Sequence, residues 1–359
     1  MMDLHGGNIY RLQREGKEVL DYSSNINPLG VPQKFIDKAI QNFSSLSQYP
    51  DIDYIELREK IANYNQVSRE NILVGNGATE ILFLYIRALR PKKTLLVGPC
   101  FAEYARVLKT VGSEICLFPL KEEENFILNV EALISEIQKE DYDLVLLCNP
   151  NNPTGKFIPL EDFKKIVTVI EKKGIQLFVD EAFIEFVESW KEKTVALLKS
   201  KSVFILRALT KFFAIPGLRL GYGMTWNADL FSRMQEEKEP WSVNVFANLA
   251  GLTMLEDEEY IRKTEDWIRE EKKYFHQELS KISEIKVYET ETNFILLQLL
   301  SKEAREFQAA MIEKGILVRD ASNFPFLNEY YIRLAVKDRI SNNRVLKAIQ
   351  EVLKKGEEV

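Results

Sequence analysis

In the stretch LTKFFAIPGLRLGYG, Leu209 to Gly223, Lys211 stands beside Thr210 and is followed, after a Pro216-Gly217 break, by Arg219 eight residues on. A lysine amine attacks a carbonyl only when neutral, so a reactive lysine needs burial and nearby positive charge to lower its pKa. Taken alone, Lys211 reads better as a surface charge, one of 48 lysines and arginines of which nearly all must be solvated. Three further stretches carry residue types with chemistry to offer. VGNGATE at 74–80 follows an apolar run and opens a helical one. Its small residues Gly77, Ala78 and Thr79 let backbone amides approach a phosphate at a helix N-terminus; a simple tight turn is the alternative. LLCNPNNPTG at 146–155 sets Asn152 between Asn151 and Pro153 at the end of a strand-like run. Its amide would face the crevice at the strand's carboxyl end, or make an Asx turn. LFVDEAF at 177–183 ends a third apolar run in Asp180, a carboxylate that needs a cationic or hydrogen-bonding partner if it does not cap a helix.

These stretches punctuate an alternation. From about Ile72 to Met224 the short runs NILVG, TLLVG, DLVLLCN, IQLFVD, SVFILR and LRLGYGM alternate with period-3.6 segments such as TEILFLYIRAL. That order predicts an α/β fold, a mostly parallel sheet flanked by helices. After Pro240 a long charged helical run leads to IKVYE, NFILLQLL, ILVRD and YYIRLAV, which read as a smaller α+β domain. The expected division is an N-terminal arm, 1–45, packing with the small domain; a large domain, 46–240; and a small domain, 241–359. A ligand is expected in the cleft between the two.

Composition narrows the possibilities. With 46% hydrophobic and 28% charged residues the chain can build a sizeable core, and its formal charge of −6 argues against a nucleic-acid partner. No apolar run approaches the roughly 20 residues of a membrane span, and no secretory leader is visible, so a cytoplasmic protein is expected. Cys100, Cys116 and Cys148 sit singly in or beside apolar runs, as reduced, buried thiols would. With His5 and His276 as the only histidines, no metal site is expected.

In their order, GNGATE, NPNNPTG, DEAF and LTKFFAIPGLRLGYG offer a phosphate cradle, an amide, a carboxylate, a lysine and an arginine. These are what pyridoxal 5′-phosphate demands. Across nearly its whole length the chain resembles the fold-type I aminotransferases of class I and II. The resemblance implies a seven-stranded sheet and assigns Lys211 as the Schiff-base lysine, Asp180 as the partner of the pyridine nitrogen and Asn152 as donor to the ring oxygen. It makes Gly77, Ala78, Thr79, Thr210 and Arg219 the phosphate site and Phe101, in GPCF, the aromatic stacked on the ring. Arg333, in YYIRLAV, matches the arginine that grips the substrate α-carboxylate. Tyr49, in QYPD, matches a tyrosine that reaches the neighbouring subunit's phosphate, which implies a homodimer. Two positions depart from the broader pattern: Phe183 stands where many members have tyrosine, and Ala208 where many have serine or threonine.

Within that family the chain resembles two subfamilies, histidinol-phosphate aminotransferase and the threonine-phosphate decarboxylase of cobalamin biosynthesis. LHGGN, DYSSNINPLG, DEAF and VRDASNFP look more like the decarboxylase. On that resemblance His5 and Arg319 would serve the substrate phosphate and Asn27 would close over the site from the arm. A surface ion pair is the alternative for Arg319. Phe326 departs from the glycine expected after SNFP. The implied reaction is decarboxylation of L-threonine O-3-phosphate to 1-amino-2-propanol phosphate; amino transfer to 2-oxoglutarate stays open.

Overall fold

The protein is described by a computed structural model covering residues 6–354. In chain order its strands are β1 (Leu20–Asp21), β2 (Ile72–Asn76), β3 (Lys93–Gly98), β4 (Glu114–Pro119), β5 (Leu144–Cys148), β6 (Gln176–Asp180) and β7 (Val203–Ala208). They continue with β8 (Leu220–Thr225), β9 (Ile285–Val287), β10 (Phe294–Leu299), β11 (Ile316–Leu317), β12 (Arg319–Asp320) and β13 (Tyr331–Ala335).

Seven of them form one sheet in the order β2-β8-β7-β6-β5-β3-β4. Strand β8 runs antiparallel to both of its neighbours, so β2 points the same way as the five parallel strands β3 to β7. The carboxyl ends of six strands therefore meet at one edge, where a doubly wound sheet places its ligand. Strand β4 lies outside the six apolar runs picked from the sequence. It is the far edge strand, with none of its residues fully buried and half of them exposed, so its apolar signal is weak. Cys116 lies on it and is only half-buried, unlike Cys100 and Cys148.

The central strands send alternate residues to opposite faces. Val145, Leu147, Val179 and Ile205 join one buried cluster, and Leu146, Phe178, Phe204 and Leu206 the other. Helices cover both faces, which is why these strands read as unbroken apolar runs.

The second sheet, β12-β13-β10-β9, is antiparallel and comes from the C-terminal third of the chain. The N-terminal arm lies beside it: β1 pairs with β11 in a separate two-stranded sheet, and Tyr22 O accepts from Ala335 N at 3.0 Å.

Helix Ala78–Leu89 lies tightly against β8. A Cβ on Gly221 would stand 2.3 Å from Ala78 N, so only glycine admits the first turn of that helix at this spacing. Gly221→Ala should lower the unfolding free energy by about 1–3 kcal/mol, read as a lower urea midpoint; an unchanged midpoint would contradict this packing.

Candidate active site

A cleft with about 1040 Å³ of open space, its mouth included, lies at the carboxyl edge of the large sheet and is closed by the second sheet and the arm. Ten residues singled out from the sequence line it: Ala78, Thr79, Phe101, Asn152, Asp180, Thr210, Lys211, Arg219, Arg319 and Arg333. Gly77 stands behind Arg219 at a left-handed φ of +80°, where a Cβ would come within 2.5 Å of the guanidinium. Only a glycine turn lets Arg219 lie over the start of the helix. That helix has no side-chain cap, which leaves the amides of its first turn for an anion. Arg219 itself holds φ at +63°, a backbone arrangement costing about 1 kcal/mol or more outside glycine.

The loop after β5 divides labour among its three asparagines. Asn149 exchanges hydrogen bonds with the backbone of Ile158, and Asn151 accepts from Thr154 while donating to Pro99 O. These neighbours make the turns, and Asn152 is left facing the cleft. Its Oδ1 accepts from Arg333 Nη1, so its Nδ2 donor remains for a ligand.

On β6 and β7 the alternation decides which charges enter the cleft. Asp180 continues the face of Phe178 and Ala208 that of Leu206, and both line the cleft. Glu181 and Arg207 point to the opposite face and form a buried pair at 2.8 Å, supported by Thr194, Val195 N and the Trp190 ring 4.7 Å from the guanidinium. Asp180 is held by two donors: Ala182 N to Oδ1 at 2.8 Å and Tyr104 Oη to Oδ2 at 2.6 Å. Burial raises its pKa, and these bonds act against the rise. Lys211 sits on the short helix Leu209–Phe212, and its amine is pushed down to about 8 by burial, then by Arg333 and Arg219, with Asp180 opposing.

Arg319 and Arg333 are register partners on β12 and β13, both buried. Arg319 donates to Asn323 Oδ1 at 2.8 Å, and Arg333 to Ser23 O at 2.7 Å, while Arg333 Nε is buried with no partner. Burial and the neighbouring Arg319 push the Arg333 guanidinium down from its ordinary range. Among the described residues lining the cleft there are four cations, Lys211, Arg219, Arg319 and Arg333, and one carboxylate, Asp180. Such a site favours an anionic ligand.

Two of the expected residues that the structure describes, Asn27 and Tyr49, do not line this cleft. Asn27 is buried elsewhere with its amide fully engaged, donating to Phe212 O and Thr264 Oγ1 at 2.8 Å and accepting from Leu29 N. Its N–H donates to Lys211 O, so it braces the lysine's turn and does not reach a substrate. Ser23, Ser24 and Asn25 of the same arm line the cleft instead. Tyr49 is 81% exposed, and its ring packs on that of Trp241, 4.8 Å between ring centres. His5 lies outside the described residues. Tyr104 was not singled out from the sequence; its one signal is its place three residues after Phe101, on the same helix face.

Residues 17–349 match the family model for aminotransferases of class I and II, and the chain belongs to that family of enzymes. A protein of Caldanaerobacter subterraneus, provisionally described as a threonine-phosphate decarboxylase, is 42% identical over 98% of this chain and 94% of its own length. The threonine-phosphate decarboxylase of Salmonella typhimurium is 37% identical over 97% of this chain and 96% of its own. Among solved structures, the histidinol-phosphate aminotransferase of Clostridium acetobutylicum superposes with a TM-score of 0.89 at 36% identity, covering 94% of this chain and all of that one.

Behind the cleft, Glu185 is buried with neither carboxylate oxygen hydrogen-bonded, 3.7 Å from Arg207, and burial raises its pKa to about 7. A raised carboxyl pKa contributes stability that is full below the unfolded value near 4.5 and is lost as pH rises through 7. Glu185→Gln should therefore gain on wild type between pH 5 and pH 8, by on the order of 1–3 kcal/mol in urea unfolding. Parallel stability profiles for the two proteins would contradict an ionisable, destabilised Glu185.

Proposed function

We propose that the protein is a pyridoxal 5′-phosphate-dependent decarboxylase acting on L-threonine O-3-phosphate, a cytoplasmic homodimer. The observation that carries this reading is the pair Arg319 and Arg333, register partners buried side by side and lining the same cleft as Lys211. Two guanidinium groups suit a substrate with two anionic groups, and threonine phosphate has a carboxylate and a phosphate.

The residues fit the cofactor on the chemistry of the donor set. Ala78 and Thr79 amides, Thr210 and Arg219 would hold its phosphate, behind the space that Gly77 leaves open. Asp180 would pair with the pyridine nitrogen, Asn152 Nδ2 with the ring oxygen, and Phe101 with the ring face. Bound there, the cofactor supplies an electron sink for the pair of electrons left on Cα when a bond to it breaks. Arg333 orients the α-carboxylate and Arg319 the phosphate. The carboxyl group leaves as CO₂, and Cα takes in its place a proton from Lys211 Nζ, giving 1-amino-2-propanol phosphate. Phe183 offers a ring edge-on to Phe294, 5.0 Å between centres, and no hydroxyl to the cofactor, leaving Asn152 as the donor on that side. The exposed apolar residues Ile40, Phe43, Leu46 and Tyr49 form the surface on which a second copy would pack.

Purified protein incubated with threonine phosphate and pyridoxal phosphate should release CO₂ with no keto-acid present. Turnover of histidinol phosphate that requires 2-oxoglutarate would overturn this in favour of amino transfer, the activity named for the Clostridium acetobutylicum structure.

Arg319→Ala should lower kcat/KM for threonine phosphate by about 10–100-fold, the value of one charge-assisted hydrogen bond, with little effect on unphosphorylated threonine. An equal loss on both substrates would remove Arg319 from the phosphate site.

A further inference from the structure

The proposed chemistry uses Asp180 but says nothing of what holds it. Its carboxylate is buried at the end of β6, where burial disfavours the charged form that a pyridine nitrogen must meet. Tyr104 lies on helix Ala102–Thr110 in the apolar cluster with Phe178, Leu146 and Cys148. A phenylalanine would fill that space equally well, and a buried hydroxyl is costly unless it is bonded. The Tyr104 hydroxyl donates to Asp180 Oδ2 at 2.6 Å. Burial and the Asp180 charge raise its pKa well above the ordinary value, so it stays a donor. The neighbouring Cys148 Sγ is turned to Pro150 O at 3.2 Å. Ala182 N and Tyr104 Oη thus occupy one acceptor position on each Asp180 oxygen. An ionised carboxylate has about four such positions, so room for a donor from the cleft remains.

We infer that Tyr104 is a positioning residue for the cofactor: its hydroxyl fixes the plane of the Asp180 carboxylate and keeps it ionised toward the pyridine nitrogen. The inference rests on the pyridoxal-phosphate reading given above. It places on one hydroxyl a function that packing alone does not require.

The test is the dissociation constant of pyridoxal 5′-phosphate, measured by visible absorbance on apo wild type, Tyr104→Phe, Asp180→Asn and the double variant from pH 6 to pH 9. Tyr104→Phe should bind about tenfold more weakly at pH 8. Without the hydroxyl Asp180 protonates more readily, so its loss of affinity on lowering the pH should begin at a higher pH than in wild type. In the Asp180→Asn background the same substitution should have no further effect, because Tyr104 acts through the carboxylate. Equal affinity and an unchanged pH profile in Tyr104→Phe would overturn the inference. So would an undiminished loss in the Asn background, which is the mark of packing alone. If Asp180→Asn fails to fold, the pH profile of Tyr104→Phe decides by itself. Wild type that binds no pyridoxal phosphate would bring down the functional reading as well, whereas wild-type binding with an indifferent Tyr104→Phe removes this inference only.

Discussion

The site depends on an imbalance of charge: among the described residues that line the cleft, one buried carboxylate, Asp180, stands with four cations. Burial penalises the charges of Asp180, Lys211 and Arg333, and repulsion from neighbouring cations adds to the penalty on Lys211 and Arg333. The result is seen in Lys211, whose amine drops to about 8, so that far more of it is neutral near physiological pH than of an ordinary lysine, and the neutral form is the one that can attack. It is seen again in Arg333, whose Nε is left without a partner. Among the described residues the lining carries an excess of positive charge, which suits a ligand that brings negative charge.

The sheet makes the imbalance possible by sorting charges between its faces. Asp180 and Glu181 are neighbours in sequence, yet the alternation of β6 sends the first into the cleft and the second to a buried pair with Arg207. That rear cluster of Glu181, Arg207, Thr194 and Trp190 is almost wholly satisfied from within. The front, by contrast, keeps donors in reserve on Asn152, Arg333 and the uncapped helix Ala78–Leu89. The second sheet supplies the rest: register pairing of β12 with β13 puts Arg319 beside Arg333, an arrangement of like charges that a purely structural contact would avoid.

How far all this was legible varied with the kind of signal. Lys211, Asp180 and Asn152 each follow directly on an apolar strand, so period and punctuation together placed them at one sheet edge. The edge strand β4 was harder, because half of its residues face solvent and its apolar signal is weak. Asn27 and Asn25 are two positions apart on an arm with little secondary structure, and spacing alone does not say which amide reaches the cleft. The contacts do: Phe212 and Thr264 take both hydrogens of Asn27, while Asn25 lines the cleft. Tyr104 was invisible for a related reason, since its role comes from a long-range meeting with a residue far along the chain. Phe326, noted as standing where glycine was expected, adopts φ +67°, the left-handed region that glycine enters at least cost.

The account rests on Lys211 as the reactive amine, and one chemical mapping tests it most directly. The protein is loaded with pyridoxal 5′-phosphate and reduced with borohydride, and the residue that carries the pyridoxyl group is located by peptide mass. The charge arrangement predicts a single modified residue, Lys211, and loss of the visible band on reduction. A group found on another lysine, or a protein that takes up none, would contradict the account at its centre.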